Sequence, residues 1–292
     1  MRAFSEMNPI VCFTALLVCA GIVMFCMEPV LILLSLMGAA ALWFAMCGRG
    51  GVRSCLWYGL LIIICSVINP LFNHNGVTVL FVVNDLPVTL EAIAYGAGMG
   101  VMIAAVLWWF RSFAKIMTSD KLLYIFGSVS PKIALILSMT LRYIPLFRRQ
   151  AQKTNQSQRA LGLYRDDNIP DALRGGTRVF SVMVTWALEN GVVTADSMTA
   201  RGYGVGKRTH FALFRFRAED AAVIAAVLAL GAVTVLGIAR GAVGFEWYPA
   251  IKASPAGGLG LAAYISSGLL AMLPAAIEIS EAVRWKYLTS AI

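Results

Sequence analysis

Between Thr194 and Phe211 the chain reads TADSMTARGYGVGKRTHF, which packs three glycines, a Gly-Lys pair and several cations into one short stretch. Such residues can cradle a phosphate, because closely spaced glycines let backbone amides converge on an anion. The spacing does not allow it. A P-loop, G-x-x-x-x-G-K-[ST], aligned on Gly206-Lys207 puts Arg201 where its first glycine belongs and Arg208 where its magnesium-binding hydroxyl belongs. A dinucleotide fingerprint, G-x-G-x-x-G, starts at Gly202 and Gly204 but meets Lys207 at its third glycine. What remains is the chemistry of a helix end. Gly202 suits the left-handed C′ position, and Arg201 complements the carbonyl end of the helix dipole. With Ala200 beside them, the end is narrow and projects one guanidinium. Such an end fits a groove on a partner, where it can hold a carboxylate through a forked pair of hydrogen bonds.

Elsewhere no acid–base pair, nucleophile–base pair or metal cluster stands out, so no catalytic residue, metal ligand or cofactor is assigned. The six cysteines (Cys12, Cys19, Cys26, Cys47, Cys55, Cys65) form no CxxC pair, and neither histidine lies near one. They read as small apolar packing residues. Glu189 and Asp196 fall near one helix face; they form either structural ion pairs with arginines of the preceding helix or contacts with a partner. His74 reads as part of a turn.

The elements that must position TARGYG are mostly apolar helices. Of 292 residues, 59% are hydrophobic and 13% charged, against about 25% charged in soluble proteins. Apolar stretches at Ile10–Met27, Val30–Cys47, Ala92–Phe110, Ala221–Ala239 and Ala253–Ile277 reach the length of membrane helices. Ser54–Ile68, ending at Asn69-Pro70, is the sixth and shortest. Ionisable residues are nearly absent from the five clear spans, which argues against the alternative of a stand-alone secondary transporter or channel. A membrane-embedded enzyme lacks a set of polar catalytic residues.

The net charge of +9 is concentrated between Arg142 and Arg217, where thirteen Lys or Arg face five Asp or Glu. Asn69–Glu91 contains no Lys or Arg. The positive-inside rule therefore predicts both termini in the cytoplasm and a cytoplasmic insertion between the fourth and fifth spans. The expected divisions are residues 1–121, 122–217 and 218–292. The basic insertion suits an anionic lipid surface, and no nucleic-acid-binding module is recognisable. Within it, Ser130-Pro131 begins a helix that reaches Gly162 and is expected to kink at Pro145. Tyr164–Gly176 reads as a loop, and a second amphipathic helix runs from Thr177 to Gly202. Gly96 and Gly100 form GxxxG, serving internal packing or a partner surface. Trp108 and Trp109 are expected to anchor the fourth span at the cytoplasmic interface. Val77–Val83 reads as a short strand or hairpin.

ADSMTARGYG, the preceding LRYIPLFRRQAQKTNQSQRALG, and INPLFNHNGVTVLF with PVTLEAIAYG together resemble the transmembrane T component of energy-coupling factor transporters, the EcfT/CbiQ-like family. The resemblance spans essentially the whole chain, with ARGYG its most specific part. It implies a non-catalytic, all-α polytopic protein of about six membrane helices with a cytoplasmic helical coupling insertion, in the cell membrane. It implies as partners two cytoplasmic ABC-type ATPases and a membrane S component that captures a vitamin or transition-metal ion. Two coupling helices, each ending in Ala-Arg-Gly, dock in grooves of the ATPases, and ATP-driven closure topples the S component. Here the second motif is intact as Ala200, Arg201 and Gly202. The first stands as Ala160, Leu161 and Gly162, with Arg159 two residues before Leu161. Two helical residues subtend about 200°, which makes Arg159 a poor substitute for the missing arginine. The two ATPase contacts are then unequal, or the first depends on apolar packing by Leu161.

Overall fold

The computed structural model describes residues 3–48, 52–83, 86–162, 169–206, 214, 216–253 and 257–290. Nine helices are present among them: α1 (Pro9–Phe25), α2 (Pro29–Cys47), α3 (Val52–Phe72), α4 (Leu90–Ile116), α5 (Ser119–Val129), α6 (Pro131–Ala160), α7 (Ile169–Ala200), α8 (Ala218–Ala239) and α9 (Gly258–Ser290). Two antiparallel ribbons, β1 (Val79–Val83) with β2 (Leu86–Thr89) and β3 (Phe245–Glu246) with β4 (Lys252–Ala253), complete the described structure. The chain is an all-α polytopic membrane protein. It divides into two compact units, one of Met1–Leu122 with Phe214–Ile292, the other of Leu123–Leu213.

In the first unit helix starts are set by local chemistry. Pro9 and Pro29 occupy first-turn positions where a missing amide costs nothing. The Asn8, Glu28 and Thr89 side chains accept from the amides of Ile10, Leu31 and Ala92, satisfying orphan donors that lipid cannot. Five helices, α2, α3, α4, α8 and α9, are long and apolar enough to cross a membrane. α1, at seventeen residues, sits at the lower limit of about 17–25 for a span. α2 packs on α9 and α4, α1 on α4 and α8, and α8 on α9.

Polar contacts gather at the two ends of this bundle. At one end Asn8, before α1, meets Asp220 at the start of α8, while Ser5 meets Glu278 late in α9. At the other, Trp247 Nε1 donates to Met27 O at 2.9 Å and Tyr264 Oη donates to Glu28 Oε1 at 2.7 Å. α1 and α8 thus run in one direction and α9 in the other.

Several expectations are corrected. α3 does not end at Asn69-Pro70 but continues through Pro70 to Phe72. The break is deferred because so little helix follows the proline and Asn69 is held by a 2.6 Å bond from its Nδ2 to Ala92 O. Trp108 and Trp109 are not lipid-facing anchors. They are 4% and 1% exposed; Trp109 Nε1 donates to Ser35 Oγ at 2.8 Å, and Trp108 packs on Tyr58 at 4.9 Å. α4 runs on to Ile116, so these rings fall inside the bundle rather than at its rim. The expected span Ala253–Ile277 is helical only from Gly258, and its helix extends well past Ile277. The expected strand forms as the β1–β2 ribbon. Cys12, Cys19 and Cys26 are buried as expected of packing residues, whereas Cys55 is exposed on α3. Arg2 and Arg49, two further cations that the positive-inside rule assigns to the cytoplasm, lie outside the described residues.

GxxxG resolves to internal packing. A Cβ on Gly96 would lie 2.7 Å from Cys65 O and 2.8 Å from Asn69 Cβ; one on Gly100 would lie 2.9 Å from Ile62 Cα. These glycines let α3, otherwise barely buried, lie flat on α4. Gly100→Leu is therefore expected to cost about 1–3 kcal/mol by overpacking and to release α3. Cysteine accessibility checks it: Cys65, half-buried in the native chain, should label about tenfold faster with a membrane-permeant maleimide.

Candidate coupling ends

The second unit holds α6 and α7. α6 starts at Pro131 after Ser130 and runs unbroken through Pro145 to Ala160. α7 is longer than expected: it begins at Ile169, not Thr177, and takes in Gly175, Gly176 and Gly191. Pro170 sits harmlessly in its first turn, Asp171 there faces the positive dipole end, and Asp171 pairs with Arg174 at 3.7 Å. Those terms offset a glycine cost of about 1 kcal/mol each. The second half of the expected loop is thus helical, and residues 164–168 lie outside the described residues.

The helices meet at their middles. Tyr143 Oη lies 2.6 Å from Thr194 Oγ1, and Phe147 meets Trp186 edge-on at 5.3 Å, with Tyr143 a further 6.0 Å ring neighbour of Phe147. Met183 is buried, and Ala151 and Ala187 are half-buried in the same zone. The direction of pairing is antiparallel, so the two C-terminal ends leave the crossing on opposite sides. Leu161 and Arg201 follow Phe147 and Trp186 by about fifteen residues each, which at 1.5 Å per residue places each end roughly 20 Å from the crossing.

Both ends close on a left-handed glycine. At α7 the amide of Gly202 donates to Thr199 O at 2.9 Å and that of Tyr203 to Met198 O at 3.0 Å. This is the paired bonding of a Schellman cap. Gly202 has φ +76°, the left-handed region that glycine enters without a Cβ penalty. At α6 the amide of Gly162 donates to Arg159 O at 3.0 Å and Gly162 has φ +66°. Leu161 therefore occupies the position in α6 that Arg201 occupies in α7. Ala160 and Ala200 precede them, all four side chains are exposed, and Leu161 is 73% exposed. Leu161 keeps helical backbone angles, φ −79° and ψ −2°, so the helix does not unwind to bring Arg159 into its place. After Gly202 the chain turns again, with Val205 N donating to Gly202 O at 3.2 Å and Gly204 at φ +93°. Lys207 and Arg208 lie outside the described residues.

Glu189 and Asp196 are exposed, and among the described residues neither forms an ion pair with α6. At about 100° per residue they lie roughly 100–120° from the mean direction of Trp186, Asn190 and Thr194, the face that α6 covers. Residues missed in sequence are those of the crossing: Tyr143 and Phe147 one turn apart on α6, and Trp186, Asn190 and Thr194 at successive turns on α7. That aromatic and polar stripe at four-residue spacing was a readable signal.

The sequence profile described as "CbiQ: Cobalt transport protein" matches residues 2–211. A protein named energy-coupling factor transporter transmembrane protein EcfT from Listeria innocua is 27% identical over 193 residues, covering 62% of this chain and 71% of its own. Its namesake from Streptococcus thermophilus is 27% identical over 198 residues, covering 62% and 72%.

A Cβ on Gly202 would meet nothing within 4 Å, so Gly202→Ala acts through backbone strain alone, about 1–2 kcal/mol. Amide exchange over Met198–Tyr203 should quicken about tenfold with the melting temperature unchanged. Gly206→Ala, equally open but without a positive φ, should leave that exchange as it was.

Proposed function

The chain belongs to the CbiQ family of cobalt transport proteins, and we propose that it is the transmembrane scaffold of an energy-coupling factor importer. In this reading ATP hydrolysis belongs to separate chains. Two cytoplasmic ABC-type ATPases dock on the ends of α6 and α7, and a membrane S component captures a vitamin or transition-metal ion beside the bundle. The observation that carries this reading is the shared geometry of Ala160-Leu161-Gly162 and Ala200-Arg201-Gly202: two exposed, narrow helix ends, each turned by a left-handed glycine bonded three residues back, on opposite sides of one crossing. Two equivalent ATPase grooves fit two equivalent ends. The names of the EcfT relatives support the same assignment.

Six crossings by α1–α4, α8 and α9 put both termini and the insertion on one side of the membrane. The contacts of Ser5 and Asn8 with Lys121, Asp220 and Glu278 support a common side for the N-terminus and the flanks of the insertion. Cations close to the span ends, Arg111, Lys115 and Lys121 before the insertion and Arg215 and Arg217 after it, favour the cytoplasm for that side. The localisation that follows is the cell membrane.

The two docking contacts differ in chemistry. Arg201 is equipped for a charge-assisted, forked bond to a carboxylate, worth about 1.5–3 kcal/mol. Leu161 offers only apolar area, worth about 1.5–3 kcal/mol if fully covered. When the ATPases close on ATP, the ends are drawn together, and the crossing converts that movement into a rotation of α6 against α7 felt by the S component.

Co-purification with the two ATPase chains in detergent tests the proposal. Arg201→Glu is expected to weaken ATPase binding about a hundredfold while the membrane chain stays monodisperse. Leu161→Glu is expected to lose one ATPase of the two, and Leu161→Arg to retain both. Full binding by both Glu variants would return Arg201 and Leu161 to helix caps. Uptake by the chain alone in liposomes would favour the stand-alone transporter.

A further inference from the structure

Three charged side chains from distant parts of the chain are bound to one short segment. Lys121 Nζ donates to Ser5 O. Ser5 N and Oγ donate to Glu278 Oε2 and Oε1 at 3.1 and 3.2 Å. Asn8 N donates to Asp220 Oδ1 at 3.3 Å, and Asp220 Oδ2 accepts from Arg217 N at 2.9 Å. Phe4, in a short 3-10 turn (Phe4–Glu6), is fully buried, and its carbonyl accepts from Cys12 Sγ at 3.1 Å. Lys121 and Asp220 are themselves 7% and 5% exposed.

The position of these charges is telling. Lys121 stands next to Leu122, where the first stretch of the membrane unit ends, and Asp220 follows closely on Phe214, where that unit resumes. Starting α1 needs only the Asn8 cap and Pro9, which bond locally. A cation in the first turn of α5 opposes the helix dipole, so Lys121 is not there to stabilise its own helix. A buried charge is costly unless bonded, and these are bonded to the Phe4–Asn8 segment. We propose that Phe4–Asn8 is a clasp that ties the exit and the return of the insertion to each other and to α9, making them one base rather than two independent hinges. Its consequence for transport rests on the proposed scaffold role: movement of α6 and α7 then reaches the membrane helices instead of being lost in the connections.

Hydrogen–deuterium exchange of the full-length chain in detergent, without ATPases, tests the clasp independently of that role. Glu278→Gln keeps the side-chain shape and removes the charge that holds Ser5. Peptides covering residues 4–8, 117–123 and 217–222 should all exchange about tenfold faster, although Glu278 bonds neither Lys121 nor Asp220. The β1–β2 ribbon should be unchanged. Lys121→Met should give the same pattern and Lys121→Arg should restore protection. If Lys121→Met unfolds the chain, Glu278→Gln alone decides. A change confined to residues 4–8, or no change, would overturn the clasp.

Discussion

One contact sets the geometry of the second unit: the hydroxyl of Tyr143 against that of Thr194, with Trp186 edge-on to Phe147 beside it. Helices of 30 and 32 residues touch here at their midpoints and leave their ends exposed. A slip of one turn at this point would carry an end about 5 Å along its axis, enough to spoil the proposed docking. Specific geometry therefore has to be concentrated at the crossing, and it is, in a side-chain hydrogen bond and edge-to-face rings that tolerate little sliding. Pro145 lies between Tyr143 and Phe147 and removes the amide that would serve the carbonyl of Leu141. The weakest turn of α6 is thus the turn braced by α7.

The membrane unit obeys a different constraint. In lipid the apolar effect does not drive helices together, so close approach and satisfied polar groups must. Gly96 and Gly100 provide the approach for α3, and Trp109 to Ser35 provides a polar tie between α4 and α2. Ionisable groups are kept to the two ends, Glu28 with Tyr264 at one and Lys121, Asp220 and Glu278 at the other. Among the described residues the buried charges are Glu28, Glu91, Lys121 and Asp220, all beside helix starts.

Much of this was legible in sequence, and the reasons are local. The apolar runs, the Ser130-Pro131 start, the β-branched hairpin and the glycine at the end of α7 each depend on interactions within a few residues. What could not be read depends on contacts between distant ones. Tyr164–Gly176 has the composition of a loop, yet the chain is helical from Ile169, where a first-turn proline and acid outweigh two glycines. Trp108 and Trp109 have the composition of an interfacial belt, yet α2 and α3 supply a hydrogen bond and a ring to bury them. Glu189 and Asp196 share a face as expected, but the face that meets α6 is chosen by Trp186, Asn190 and Thr194. The alignment of Leu161 with Arg201 was already legible in the shared Ala-x-Gly frame; that α6 keeps its winding at Leu161, leaving Arg159 on another side, was not.

The central claim is that the two ends serve two separate ATPase chains. A photo-reactive phenylalanine analogue at Leu161 and at Tyr203, incorporated in the assembled complex, tests this most directly. Each position is expected to cross-link to an ATPase, and the doubly substituted chain to give an adduct carrying two ATPase chains. Adducts of position 161 with membrane neighbours alone, or both positions on one ATPase chain, would contradict it.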